Sequence, residues 1–118
     1  ESKFLINDLS LKYKKFLVTG AISKFDGHIF TFNFANKKNP CLRCFYQEDS
    51  ITDEILNCEF EGILGTVAGV VGSLQANEIL KKILNIGQNL NGFILILDLL
   101  NLSFRKAKIN KRKKCRCK

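Results

Sequence analysis

Apolar and polar positions along the 118-residue chain follow two periods, and they divide it into alternating helices and strands. The opening run ESKFLINDLSLKYKK places Phe4, Leu5, Leu9, Leu11 and Tyr13 in an amphipathic pattern and begins without a Met. It reads as the middle or end of a helix, so the chain is expected to be a piece of something longer. FLVTGAI (Phe16 to Ile22) is a short apolar run suited to a buried strand. In GHIFTFNF, Ile29, Thr31 and Asn33 alternate with Phe30, Phe32 and Phe34, which is a strand preceded by the turn-like FDG. ANKKNP is loop. Six carboxylates between Gln47 and Glu61 mark an exposed connection.

The run GILGTVAGVVGSLQANEILKKILNIG follows. Its second half predicts a helix with Leu74, Ala76, Ile79, Leu80, Ile83 and Leu84 on an apolar stripe and Gly87 as its stop. Its first half carries Gly62, Gly65, Gly69 and Gly72, each costing a helix about 1 kcal/mol relative to Ala. Such a cost needs a reason, either close approach of another backbone or subunit or a phosphate loop. The spacing does not make GxGxxG and no GKS or GKT follows, so close helix packing is the better reading. GFILILDLL (Gly92 to Leu100) and LSFRKAKI (Leu102 to Ile109) predict two adjacent strands joined by a tight hairpin at Asn101.

With 46% apolar residues, this length suits one domain with a real core rather than two. No uninterrupted apolar run is long enough to span a membrane, and the charged-then-apolar order of a signal peptide is missing, so a cytoplasmic protein is expected. The net charge of +8 belongs to the end of the chain. Residues 105–118 hold nine Lys or Arg and no acid, leaving ten basic against eleven acidic residues before them, a body of about −1. A basic tail of this kind is usually a solvated end, and otherwise a weak, salt-sensitive phosphate patch. No aromatic is interleaved in the last ten positions, so base stacking has no platform and nucleic acid is not an expected partner.

The five cysteines carry the candidate chemistry. Cys41 and Cys44 form a CxxC just after a strand, while Cys115 and Cys117 form a CxC after the last one. Two loops at strand ends can bring four thiolates together, and four thiolates in a tetrahedron are what structural zinc takes. A redox CxxC, or free thiols in a tail, are the readings that compete. The basic residues around Cys115 and Cys117 favour the thiolate forms that zinc needs. Cys58 stands apart in NCEFEGILG, beside Glu59 and Glu61, which disfavour its thiolate. His28, the single histidine, reads as a surface or satisfied strand position.

In order, FLIND, FLVTGAISKFDGHIFTFNF, PCLRCFYQE, NCEFEGILGTVAGVVGSLQANEILKKIL, GFILILDLL, FRKAKI and CRC resemble the C-terminal half of the ThiF/MoeB/HesA family, the ubiquitin-activating-like adenylyltransferases of sulfur-carrier proteins. The likeness is collinear over essentially the whole chain. It implies an α/β fold class, the C-terminal half of a Rossmann-like fold with a mixed sheet, flanking helices and a zinc-binding loop pair. Residues 1–118 would form one partial domain, with 105–118 a basic tail carrying the second cysteine pair.

The resemblance also implies a function. Family members use ATP and Mg²⁺ to adenylate the C-terminal glycine of a ThiS- or MoaD-type ubiquitin-like carrier, releasing pyrophosphate and leaving an acyl-AMP that a sulfur donor can attack. Their paired cysteine motifs bind a structural zinc, which maps onto Cys41, Cys44, Cys115 and Cys117; the family's closing pair is usually C-x-x-C, so CRCK is one residue short. Cys58 matches a crossover-loop cysteine that forms a thioester or acyl-disulfide with the carrier in some members, which makes it the candidate catalytic residue. The glycine-bearing helix matches one near a homodimer interface, and Gln75, Ala76 and Glu78 take packing or structural positions on it.

The family's nucleotide site lies in an N-terminal half with its first βαβ unit, and none of that half's motifs occurs in these residues. Lys3 stands where the family usually has an arginine. The chain is therefore expected not to use ATP by itself, being either a fragment of a split or decayed gene or one half that pairs with a separately encoded N-terminal half. A zinc-stapled pseudoenzyme that docks a carrier without chemistry is the alternative, and a basic-tailed nucleic-acid binder is a third.

Overall fold

The structure, a computed structural model, describes residues 2–46, 65–113 and 115. Helix α1 (Ser2–Lys12) leads into strands β1 (Phe16–Ser23) and β2 (Asp26–Asn33); the short helix α2 (Leu42–Phe45), the long helix α3 (Gly65–Leu84) and strands β3 (Phe93–Asp98) and β4 (Ser103–Lys108) follow. The strands form one sheet in the order β1-β2-β3-β4. All three pairings are antiparallel, and the single parallel contact among the described residues is the isolated bridge between Thr31 and Asn91. The α/β architecture is as expected, but the mixed character of the sheet is reduced to that bridge.

Strand β2 is covered on both faces, with Ile29, Phe30, Thr31 and Phe32 all buried. One face carries Ile29 and Thr31 and receives α3; the other carries Phe30 and Phe32 and receives α1, α2 and Cys115. The two-period pattern of GHIFTFNF is thus two cores back to back. The phenylalanine face is a ladder: Phe30 and Phe32 stack at 5.8 Å between centroids and Phe32 and Phe34 at 5.9 Å.

Helix α3 meets the sheet with Val67, Val71, Leu74 and Glu78, a spacing of four, three and four residues that aligns one line of the helix. The expected stripe at Ile79, Leu80, Ile83 and Leu84 instead faces outward, with Ile83 72% exposed. Likewise Gly65, Gly69 and Gly72 meet nothing within 4 Å among the described residues, because they lie opposite the Val67–Val71 line. Among the described residues the close approaches are made by glycines of the sheet. A Cβ on Gly27 would stand 2.4 Å from Val71 Cγ2, and one on Gly20 would stand 2.8 Å from the Gln75 side chain. The helix ends at Asn85 rather than at Gly87. Asn85 adopts a left-handed φ of 54°, and the Ile86 N–H reaches back to the Lys81 carbonyl at 3.1 Å, the six-to-one bond of a Schellman cap.

Turns close the remaining pairs. Two residues, Lys24 and Phe25, join β1 to β2, so Asp26 and Gly27 of FDG already belong to the strand. The β3–β4 link spans Leu99 to Leu102, longer than the tight turn expected at Asn101. Asp98 caps it by accepting from the Leu100 and Asn101 N–H groups at 3.1 and 3.2 Å, and Leu102 takes a left-handed φ of 51°.

Glu78 fastens α3 to the sheet. Its Oε2 accepts from Thr31 Oγ1 at 3.2 Å, Asn89 Nδ2 at 2.9 Å and the Leu90 N–H at 2.9 Å, while Oε1 pairs with Lys81 Nζ at 2.8 Å. Burial alone would raise its pKa, but the hydrogen bonds from Lys81, Asn89 and Leu90 together with the Lys81 charge outweigh it, and the carboxyl sits below its ordinary value of 4.5. A depressed carboxyl pKa contributes stability that is full above the unfolded value and is lost as pH falls through the folded one. Urea unfolding of Glu78→Ala should therefore show a loss of about 2–4 kcal/mol at neutral pH, since Thr31 and Leu90 keep buried donors without an acceptor. The difference from the parent should shrink below about pH 4.5. A constant difference down to pH 3 would place the effect in packing alone.

Candidate metal centre

The loop between β2 and α2 is ordered by its asparagines. Asn33 Oδ1 accepts from the Ala35 N–H at 3.1 Å, Asn36 Oδ1 from the Lys38 N–H at 3.0 Å, and Asn39 Nδ2 donates to the Asn33 carbonyl at 2.9 Å. These turns fold ANKKNP back over the sheet and deliver Pro40 and Cys41 into the core, where both are buried. Cys41 caps α2 in extended conformation, and the Cys44 N–H bonds its carbonyl at 3.0 Å, so one turn presents both sulfurs on the same side.

The end of the chain meets this turn. The Ile109 N–H donates to the Gly92 carbonyl at 2.8 Å, Lys111 Nζ donates to the Lys37 carbonyl, and the Cys115 N–H bonds the Arg112 carbonyl at 3.2 Å. Cys115 is thereby placed beside Cys41, with Sγ atoms 3.6 Å apart; the Cys41 and Cys44 sulfurs are 3.8 Å apart, and all three lie within 4.8 Å of one another. All three are buried.

These distances discriminate between chemistries. A disulfide needs about 2.05 Å between sulfurs. A tetrahedral ion with metal–sulfur bonds of about 2.3 Å, the zinc–thiolate length, needs sulfurs about 3.8 Å apart, because a tetrahedron's edge is about 1.63 times its centre-to-vertex distance. The Cys41–Cys44 and Cys41–Cys115 separations match the second value. Three converging thiols on two loops can hold a metal ion, and the donor set fits a soft, tetrahedral one.

Cys117, the fourth expected ligand, and Cys58, the expected catalytic residue, lie outside the described residues. His28 is half-buried on β2 opposite Ala21 and Ile96 and is no member of the thiol cluster.

Two residues that hold the site carry no role in the sequence reading. Asn7, in FLIND, is completely buried, and its Oδ1 accepts from the Leu42 N–H at 3.0 Å. Asp8 grips Arg43, the residue inside the CxxC, by two bonds of 2.8 Å from Nε and Nη2, and the Arg43 guanidinium lies 4.7 Å from the Phe4 ring centre. The signal was present: Asn7 falls on the Phe4–Leu11 line, where the helical period calls for an apolar residue.

Among the described residues no helix is long and apolar enough to cross a membrane. An antiparallel sheet with one long helix on one face and a cysteine-bearing loop pair on the other defines an α/β fold with a thiol cluster that could hold a metal ion. The chain belongs to the ThiF family, whose model matches residues 1–118. A sulfur carrier protein adenylyltransferase of Thermus thermophilus is 36% identical over 97% of this chain and 43% of its own length. An adenylyltransferase and sulfurtransferase, MOCS3 of Drosophila willistoni, is 38% identical over 97% of this chain and 25% of its own. The chain thus spans less than half the length of these curated relatives. In fold it is similar to E. coli MccB, solved with MccA, at a TM-score of 0.75, 12% identity, and coverage of 98% of this chain and 35% of that one. A heterocyclase solved with substrate and cofactor gives a TM-score of 0.75 at 16% identity, over 98% of this chain and 18% of that one.

Titration with Co²⁺ should produce thiolate-to-metal charge-transfer absorption that saturates at a single ion per chain. Replacing Cys41 or Cys115 with Ser should weaken binding by more than the ~10–100-fold that an outer-sphere change costs. Unaltered binding in Cys115→Ser would remove the chain end from the site.

Proposed function

We propose that this chain is the zinc-bearing, carrier-docking half of an ATP-dependent adenylyltransferase that activates the C-terminal glycine of a ThiS- or MoaD-type ubiquitin-like sulfur carrier. The observation that carries this reading is the 36% identity, along almost the entire chain, to a sulfur carrier protein adenylyltransferase. In the reaction the carrier's terminal carboxylate attacks the α-phosphorus of ATP, the bond to the β-phosphate oxygen breaks, and pyrophosphate leaves with its negative charge neutralised by Mg²⁺. The resulting acyl-AMP is the electrophile for sulfur transfer.

Within this reading Cys41, Cys44, Cys115 and Cys117 hold the zinc, and four thiolates leave it no open position for a substrate. The ion is then a staple, and the chemistry lies elsewhere. Cys58 is the proposed nucleophile toward the activated carrier. The 118 residues bring no nucleotide loop of their own, so turnover needs the N-terminal half, supplied as a separate chain or as more of the same one.

Several surfaces suit such a partner. β1 is an edge strand, the outer face of α1 carries Leu5, Ile6, Leu9 and Tyr13, and the end of α3 carries Ile83 and Leu84, all exposed. Among the described residues the glycine face of α3 is open, which suits close approach of a second copy in a homodimer. Reduced cysteines suit the cytoplasm.

Carrier-dependent exchange of pyrophosphate into ATP should be absent for this chain alone and appear on mixing it with the N-terminal half of a family member. Cys58→Ala should leave that exchange intact and abolish any covalent carrier adduct. Binding of the carrier with no exchange in either setting would mark a pseudoenzyme; failure to bind the carrier at all would overturn the proposal.

A further inference from the structure

The metal reading leaves open what gives the CxxC turn its shape, and the buried side of α1 answers it. α2 is a single turn of four residues, too short to hold its own conformation. Its first N–H, on Leu42, is one of the donors that a helix start leaves unsatisfied, and the N-cap residue Cys41 makes no side-chain cap to it. Asn7 supplies the acceptor from another element, 35 positions away in sequence. Its other amide atom, Nδ2, donates to Asp8 Oδ1 at 3.3 Å, and Asp8 in turn holds Arg43 by its paired bonds. Two consecutive residues of α1 therefore grip two consecutive residues of the turn, both lying between Cys41 and Cys44. The far side of the turn is fixed by Phe45 and Tyr46 packing on Phe30 at 5.1 and 5.8 Å between centroids.

We propose that Asn7 is a positioning residue of the metal centre: by holding the Leu42 N–H it sets the Cys41–Cys44 sulfur geometry before the ion arrives, which couples metal binding to the docking of α1. The inference rests on the metal reading and goes beyond it, since it places part of the ion's affinity in a residue 34 positions before the first sulfur. Asn7 donates nothing to the ion; it removes conformations of the turn in which the two sulfurs diverge, so less ordering remains to be done on binding. By linkage the ion returns the same coupling to α1.

The test uses the full chain, loaded with Co²⁺, and competition with a chelator. Asn7→Leu keeps the side chain's branching and size without its acceptor, and Asn7→Ala removes both. Both should weaken Co²⁺ binding by ~10–100-fold and shift its ligand-field bands. Glu78→Gln, on the opposite face of the sheet, should lower stability while leaving affinity and spectrum alone. Parental affinity in Asn7→Leu, or an equal loss in Glu78→Gln, would overturn the proposal, the first by assigning Asn7 to packing and the second by assigning the effect to general stability. If the Asn7 variants do not fold, amide exchange of the parent decides: chelation should deprotect Leu42 and the α1 amides well before β2, and uniform deprotection would count against coupling. A parent that takes up no Co²⁺ at all sinks the metal reading, and this inference with it.

Discussion

The convergence of Cys41 and Cys115, 74 positions apart and 3.6 Å between sulfurs, constrains more of this structure than any other contact. The phenylalanine face packs into one cluster with them: the ladder of Phe30, Phe32 and Phe34, Leu42 of the knuckle, and Ile94 and Ile109 from β3 and the segment after β4. A chain of this length buries only about two thirds of the surface its unfolded form exposes, so it has little apolar contact to spare for fixing two loops. Closing a long loop costs entropy that grows slowly with its length, while a cross-link between its ends recovers that cost whatever lies between. A cluster of donors at both ends is therefore an economical place to stabilise this face. Three buried sulfurs converging at tetrahedral spacing are a donor set that can hold a cation.

The opposite face is closed by different chemistry with the same logic. There the helix is long enough to form its own line of apolar residues, yet the contact that orients it is polar: Glu78 collects a hydroxyl, an amide and a backbone N–H from β2 and the segment before β3. Asn7 does on the sulfur face what Glu78 does on the valine face, taking a backbone N–H that no neighbour in sequence can satisfy. Both are buried polar side chains on helices that would otherwise be free to slide on a smooth apolar surface. An unpaired N–H in either place costs about 1–3 kcal/mol, so each contact fixes a position as well as adding stability. The glycines of the sheet belong to the same arrangement, since Val71 can sit against Gly27 only because no Cβ stands there.

What was legible in the sequence divides along this line. The strands were visible because their period of two is local, and GHIFTFNF stated both of its faces at once. The paired cysteines were visible because metal ligands are few and spaced by the turn that carries them. The two longer helices, α1 and α3, were recognised as helices, but their buried faces were misread. On α3 the densest apolar positions, Ile79, Leu80, Ile83 and Leu84, point outward, and the inward line is completed by a glutamate. On α1 the inward line is completed by an asparagine. A pattern that scores only hydrophobicity passes over both, because the residue that fixes a helix to its sheet is the one that breaks the pattern. The glycines of α3 were read as admitting another backbone or subunit; among the described residues their side of the helix is open, and the close approaches there are made by the sheet glycines.

Burial also separates the roles of the cysteines in the proposed reading. Cys41, Cys44 and Cys115 are enclosed by Leu42, Ile109 and the phenylalanine ladder, and an enclosed sulfur cannot present itself to the end of another protein. A nucleophile for a carrier's C-terminus has to reach the activated acyl carbon at van der Waals distance, while a structural ligand has to be kept from doing so. In that reading the same element would serve two incompatible demands in one chain, distributed by the sequence: paired cysteines beside strand ends, where the core can cover them, and a single one, Cys58, in the acidic stretch between α2 and α3. Asn7 and Asp8 tighten the first arrangement by holding the turn shut, so the features that make the knuckle a good staple are those that make it a poor site of reaction.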